Sequence, residues 1–140
     1  MSQLTLRDEW WTPDEFFRQV EEKEGPFDLD AAASALNAKC SRFYSEEVNS
    51  LDQKWFGRVW CNPPYRKILQ WVKKAHDEVT SGNCEKVVLL LPSDTSTQWF
   101  HFAFEHGRVE FLKGRLKFGG ALQNAPWGCL LIVFEQEVIS

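Results

Sequence analysis

Asn62, Pro63, Pro64 and Tyr65 follow directly on the apolar run Val59-Trp60-Cys61, and their types suit them to grip a planar group that bears an NH2. The Asn62 side chain offers a carbonyl oxygen, and the Pro63 peptide carbonyl can aim at the same point because no helix or ladder claims it. The two prolines fix their own backbone angles and bias Asn62 toward an extended conformation, so the pair of acceptors is stiff before any ligand arrives. Tyr65 adds a flat face on which a conjugated ring can stack. An amine on such a ring is a poor nucleophile because its lone pair is delocalised. Accepting both of its hydrogens favours a pyramidal nitrogen with a localised pair and stabilises the positive charge that develops during attack. The plain alternative is a Pro-Pro turn capped by an asparagine; the position of the four residues straight after an apolar strand favours the chemical reading.

The surrounding chain predicts the frame that holds this motif. "TPDEFFRQVEEKEGP" reads as a helix with Thr12 as N-cap, Pro13 at the first helical position, Glu15 completing a capping box and Gly25-Pro26 as the stop. "FDLD" is a short strand running into the small-residue turn "AAAS", where a helix is expected to begin. "RVWC" is a strand cut off by the prolines. "KILQWVKKAHDEV" carries Ile68, Leu69, Val72, Ala75 and Val79 at helical spacing. "KVVLLL" has the unbroken apolar pattern of a strand covered on both faces. Thr95 with Gln98 forms a capping box for a helix through His106, closed by Gly107. The runs "RVEFL" and "GCLLIVFE" are two further strands, joined by a Gly- and Lys-rich connection. The alternation predicts one α/β domain over residues 1–140, with a mostly parallel sheet and an antiparallel strand near the C-terminus. Ligands of such sheets bind beyond the carboxyl ends of the strands, where both "FDLDAAAS" and "NPPY" fall.

Composition limits the function classes. The chain has 140 residues, 44% hydrophobic and 26% charged, with no stretch apolar and long enough for a bilayer span or a signal peptide, so a cytosolic setting is expected. Cys40, Cys61, Cys84 and Cys129 are scattered singly, which speaks against a disulfide framework or a metal site. The net charge of −4 disguises an asymmetry: residues 1 to 30 hold nine acids and three bases, a net of −6, leaving the remainder at +2. Within that remainder Arg108, Lys113, Arg115 and Lys117 face only Glu110 between positions 108 and 120, a local basic run in an acidic protein.

"NPPY" after a strand is similar to motif IV of amino-group methyltransferases that use S-adenosylmethionine. With "DEWWTPDEFF", "FDLDAAASALNAKCSRFYSEE", "WFGRVWCNPPY", "VVLLLPSDTSTQWF" and "FLKGRLKF" in the same order, nearly the whole chain resembles the small phage-type DNA N6-adenine methyltransferase family. The resemblance implies a Rossmann-like methyltransferase sandwich, S-adenosylmethionine as methyl donor, DNA as partner, no membrane, and a phage or prophage protein acting in the cytoplasm of a bacterial host as a monomer or homodimer. It implies that Asn62, Pro63 and Tyr65 hold the target adenine amine while Pro64 shapes the turn. It implies that Trp11, Thr12 and Pro13 lie against the methionine end of the cofactor, Asp30 takes its ammonium, Glu46 at the end of a short strand takes the ribose hydroxyls and Asn49 meets its adenine ring. "DAAAS" lacks the glycine-rich turn of larger methyltransferases, so close approach falls to Ala31 and its neighbours and to Ser34. The acid sometimes found near position 49 is here an asparagine.

An adenine amine inside a duplex is paired, so the base must be extruded, with Tyr65 stacking on it once flipped. Lys113, Arg115 and Lys117 are expected to hold phosphates, and Phe118 and Trp127 to act as exposed loop aromatics that wedge or stack. His76, His101 and His106 are assigned to surface or packing roles. Base readout falls to the loop from Gly119 to Gly128 or to a second subunit, which predicts a short or relaxed target sequence. Two other enzyme readings share the motif, methylation of a protein glutamine or of cytosine N4. A non-catalytic DNA-binding module is the reading from a different class.

Overall fold

The computed structural model describes residues 12–118 and 127–137. Helix α1 spans Asp14–Glu24 and is followed by strand β1, Leu29–Asp30. Strand β2 (Gly57–Cys61), helix α2 (Ile68–Thr80), strand β3 (Cys84–Pro92), helix α3 (Gln98–His106), strand β4 (Arg108–Phe111) and strand β5 (Cys129–Glu135) complete the order. The sheet runs β1-β2-β3-β5-β4. β1, β2 and β3 are parallel, and β5 lies antiparallel between β3 and β4. This is a Rossmann-like α/β architecture with the expected antiparallel strand.

β3 is central, and its side chains alternate between two cores as a strand's period of two requires. Val87, Leu89 and Leu91 join Leu29, Val59, Ile132 and Phe134 under α2 and α3. Val88 and Leu90 join Trp60, Leu131 and Val133 on the other face, covered by Phe17 and Val20 of α1 and by Phe27 and Phe118. The unbroken apolar run therefore marks a strand buried on both faces. Trp60 is 1% exposed and meets Phe17 edge-on at 5.3 Å between centroids. Gly57, at φ +65°, approaches Asp28 so closely that a Cβ would lie 2.3 Å from its Oδ2, the same oxygen that accepts the Arg58 N–H at 2.9 Å. No helix among the described residues is long and apolar enough to cross a membrane.

Four local expectations are corrected. The N-cap of α1 is Pro13, and no side-chain cap bond forms there; the Thr12 hydroxyl instead bonds a side chain of the motif. α3 is capped by Thr97, whose Oγ1 accepts the Phe100 N–H at 3.2 Å, while Asp94 and Ser96 close a turn over the region where Thr95 was expected to begin it. "AAAS" opens a loop instead of a helix: Asp30 Oδ2 takes the Lys39 N–H and Asn37 Oδ1 the Ser34 N–H, so side chains rather than a helical ladder organise residues 31–39. "RFYSEE" forms a single bridge between Phe43 and Asp30 and then two 3-10 turns, Glu46–Val48 and Ser50–Asp52.

Candidate active site

β2 delivers Asn62 to the carboxyl edge of the sheet, and residues 62–64 belong to neither helix nor strand. The Asn62 Nδ2 donates to Thr12 Oγ1 at 3.2 Å. Fifty residues apart in sequence, the two meet because α1 packs on Trp60, two positions before Asn62. Thr12 is 2% exposed and Asn62 half-buried. An amide that commits its NH2 to one side turns its carbonyl oxygen to the other.

Tyr65 follows the prolines and is half-buried. Its ring meets Trp127 edge-on at 5.8 Å between centroids. The hydroxyl is buried near Trp127 and Cys129 without a well-formed hydrogen bond to either. Burial, reinforced by the neighbouring Cys129 thiol, pushes the phenol well above its ordinary value of 10.0, so Tyr65 stays neutral and acts as a ring. Tyr65, Trp127, Pro92, Ser93 and Asp94 line a cavity of about 500 Å³, within the ~300–1,000 Å³ of typical small-molecule sites. Ser93 and Asp94 were missed by sequence reasoning. Their signal was position: they leave β3 at the edge to which β2 carries Asn62.

Asp30 ends β1 and is 3% exposed. Its Oδ1 accepts the Ala32 N–H at 3.2 Å and its Oδ2 the Lys39 N–H at 3.0 Å, which shapes the 31–39 loop. A carboxylate is an acceptor-only group, chemistry that suits an ammonium. Ala31 is 0% exposed and packs in the core under α2; its small side chain fills the interior, and its N–H pairs with the Trp60 carbonyl at 2.9 Å. Ser34 is exposed, and its N–H is taken by Asn37 Oδ1 at 2.8 Å. Glu46 is exposed at the start of a 3-10 turn and not at a strand end. Asn49, also exposed, adopts a left-handed conformation at φ 50° and donates to Asp52 at 2.6 Å. Trp11 lies outside the described residues, as does the greater part of the 119–128 loop.

The basic run leaves β4 at the same edge: Leu112 N–H bonds the Cys129 carbonyl at 3.3 Å, and Cys129 pairs with Pro92 at the end of β3. Lys113, Arg115 and Lys117 are all exposed. Phe118 is not. At 1% exposure it packs with Phe17, Val20 and Trp60, so it is a core residue and unavailable as a wedge. Trp127, expected to be exposed, is half-buried against Tyr65. Arg66 and Lys67, exposed beside the motif, are cations that sequence reasoning passed over. The cysteines are shielded: burial pushes Cys40 and Cys84 up to about 12 and Cys129 up to about 11. His76 packs among Phe102, His106 and Phe134 at 4.8–5.5 Å, far from the motif in the fold.

A sequence-family model described as DNA N-6-adenine-methyltransferase (Dam) matches residues 2–136. The chain is 36% identical over 142 residues to the DNA N-6-adenine-methyltransferase of Haemophilus phage HP1, a match covering 94% of this chain and 80% of that protein. It is 45% identical over 98 residues to the DNA N-6-adenine-methyltransferase of Escherichia phage T1, covering 68% of this chain and 40% of that protein. The matched region thus spans two fifths of the T1 protein's length.

Proposed function

The chain belongs to the DNA N-6-adenine-methyltransferase (Dam) family, and from that premise we propose that it transfers a methyl group from S-adenosylmethionine to the exocyclic N6 of adenine in DNA. The observation that carries this reading is the Asn62 amide at the carboxyl edge of the sheet, bonded to Thr12 and three residues before Tyr65, whose ring lines a cavity with Trp127, Pro92, Ser93 and Asp94. Asn62 Oδ1 and the Pro63 carbonyl accept the two amine hydrogens, which localises the nitrogen lone pair and stabilises the charge that grows on it. Tyr65 stacks on the extruded ring. S-adenosylmethionine supplies an electrophilic methyl group on a positively charged sulfur. On this chain Asp30 would hold its ammonium, with residues 11–13 and the 31–34 loop around it and Glu46 and Asn49 toward its nucleoside end. Lys113, Arg115 and Lys117 bind phosphates and hold the duplex while one base is out of the stack. The protein works as a single domain on the cytoplasmic DNA of a bacterial host.

The test supplies the protein with cofactor labelled in the methyl group and, in separate reactions, unmethylated DNA and a glutamine-containing protein. Label in N6-methyladenine supports the proposal. Label confined to cytosine or to glutamine would transfer the same motif to another planar NH2, and DNA binding without transfer would leave a non-catalytic module.

A further inference from the structure

We propose that β4 is a self-association strand: its open edge pairs antiparallel with β4 of a second copy of this chain, centred on Val109, and joins two sheets into one. β4 ends the sheet order, and among the described residues no strand lies beyond it. Leu112 donates its N–H to the Cys129 carbonyl, and Phe111 is in register with Leu130, so positions 108, 110 and 112 turn their backbone groups toward β5. By the alternation of an antiparallel ladder, Val109 and Phe111 turn theirs outward, a row of donors and acceptors ready for another strand. Beside that row, Phe104 in α3 and Phe111 are 63% and 62% exposed. Both meet the Phe100 ring, at 6.1 and 6.4 Å between centroids. Apolar rings this open along a strand edge are surface that an added strand and its helix would bury.

The charges of β4 select the occupant. Outward-facing positions must meet outward-facing positions, so a second β4 aligns about one residue that faces its own counterpart. Alignment about Arg108 or about Glu110 sets a like charge against itself, which destabilises. Alignment about Val109 places Arg108 opposite Glu110 of the second copy and Glu110 opposite its Arg108, two pairs of opposite charge. Both side chains stay available for this, at 43% and 34% exposure, although each also holds a partner in α1: Arg108 pairs with Glu24 and Glu110 with Lys23. On the other face Val109 meets Val109, and Phe111 stands opposite Gly107, which has no side chain to obstruct the ring. Alternating charges discourage an unrelated apolar strand at an edge, yet in this order they match a second copy of themselves. β4 runs parallel to β3, so its carboxyl end lies at the edge that carries the candidate site. Antiparallel pairing about a two-fold axis therefore turns the two sites away from each other. The pairing is independent of which amine the site methylates.

Sedimentation equilibrium and NMR hydrogen exchange on the wild-type chain, each over a range of protein concentrations, test this. A monomer–dimer equilibrium is expected, and the Val109 and Phe111 amides should gain protection in step with the dimer fraction. The Arg108 and Glu110 amides, which face β5, should keep the same protection throughout. Glu110→Arg turns both opposite-charge pairs into like-charge pairs and should weaken association at least about tenfold. Phe111→Ser, which removes apolar surface from the edge, should weaken it as well. Should either variant lose its fold, the wild-type exchange pattern still decides. Wild type still monomeric at about 1 mM, a dimer in which Val109 exchanges no more slowly, or a folded Glu110→Arg chain that associates as tightly as wild type would each overturn the proposal. So would Val109 protection that appears on adding a short DNA duplex and not with protein concentration, since it would give the edge to DNA.

Discussion

Under the proposed function, Asn62 and Tyr65 divide the work of recognition between an acceptor and a surface. The Tyr65 phenol is held neutral by burial, and its hydroxyl has no well-formed hydrogen bond; the ring is the part that a base would meet. Tyr65→Phe is therefore expected to keep kcat/KM within about threefold and to melt no lower than wild type, since a buried hydroxyl without a partner costs about 1–3 kcal/mol. Tyr65→Ala should lose at least about tenfold, given the ~1–3 kcal/mol of a base–aromatic stack. A phenylalanine variant as weak as the alanine would mean that the hydroxyl takes part in the chemistry. The motif was legible in the sequence because prolines after an apolar strand force a particular local geometry. The bond from Asn62 to Thr12 was not, since its partners lie fifty residues apart and meet only through the packing of α1 on β2. Phe118 was misread for a related reason: "KGRLKF" looks like a solvated loop, and only the apolar side of α1 makes a core of its last residue.

Among the elements, α1 depends most on a single buried group. Glu24 is 3% exposed and receives hydrogen bonds from Lys86 and Arg108. Burial is the largest single influence on its carboxyl and pushes it up. The hydrogen bonds and charges of Arg108 and Lys86 together outweigh that, and the group sits below its ordinary 4.5. With the folded value depressed, the stabilisation is complete above the unfolded value and is lost as pH falls through the folded one. Denaturant titrations should thus show wild type losing stability as pH drops below about 4.5. Glu24→Ala should cost about 3 kcal/mol at pH 7, in the range for removing one partner of a buried pair, and should flatten part of that acid dependence. Equal acid sensitivity in both proteins would assign the pH effect to other carboxylates. The helix and strand order was readable from periodicity and from Gly25-Pro26 and Gly107 as stops. Loop 31–56 was not, because the Asp30 carboxylate, rather than a backbone pattern, organises its first part.

For the molecule as a whole, the parallel strands β1, β2 and β3 bring Asp30, Asn62 and Ser93 to one edge, and the antiparallel β5 returns Trp127 and Gly128 to it. β4 then sends Lys113, Arg115 and Lys117 out at the same edge. Under the proposed function an acidic chain grips DNA through these exposed cations, while nine of its acids lie in the first 30 residues. Replacing Lys113, Arg115 and Lys117 with glutamine should leave melting unchanged, as all three are exposed. The slope of log affinity for duplex DNA against log salt should shrink by about 0.9 per lost phosphate contact, roughly 3 in all. An unchanged slope would move the DNA interface elsewhere, with Arg66 and Lys67 next in line.

Chromatography and mass spectrometry of nucleosides from unmethylated DNA, treated with cofactor and either wild type or Asn62→Ala, measure the amine-gripping role of the motif in one product. The expected result is N6-methyladenine from wild type and at least about 100-fold less from Asn62→Ala, the size of effect seen when one group stabilising developing charge is removed, with melting temperatures alike. Undiminished N6-methyladenine from the alanine variant, or a methylated base other than adenine from wild type, would contradict the account.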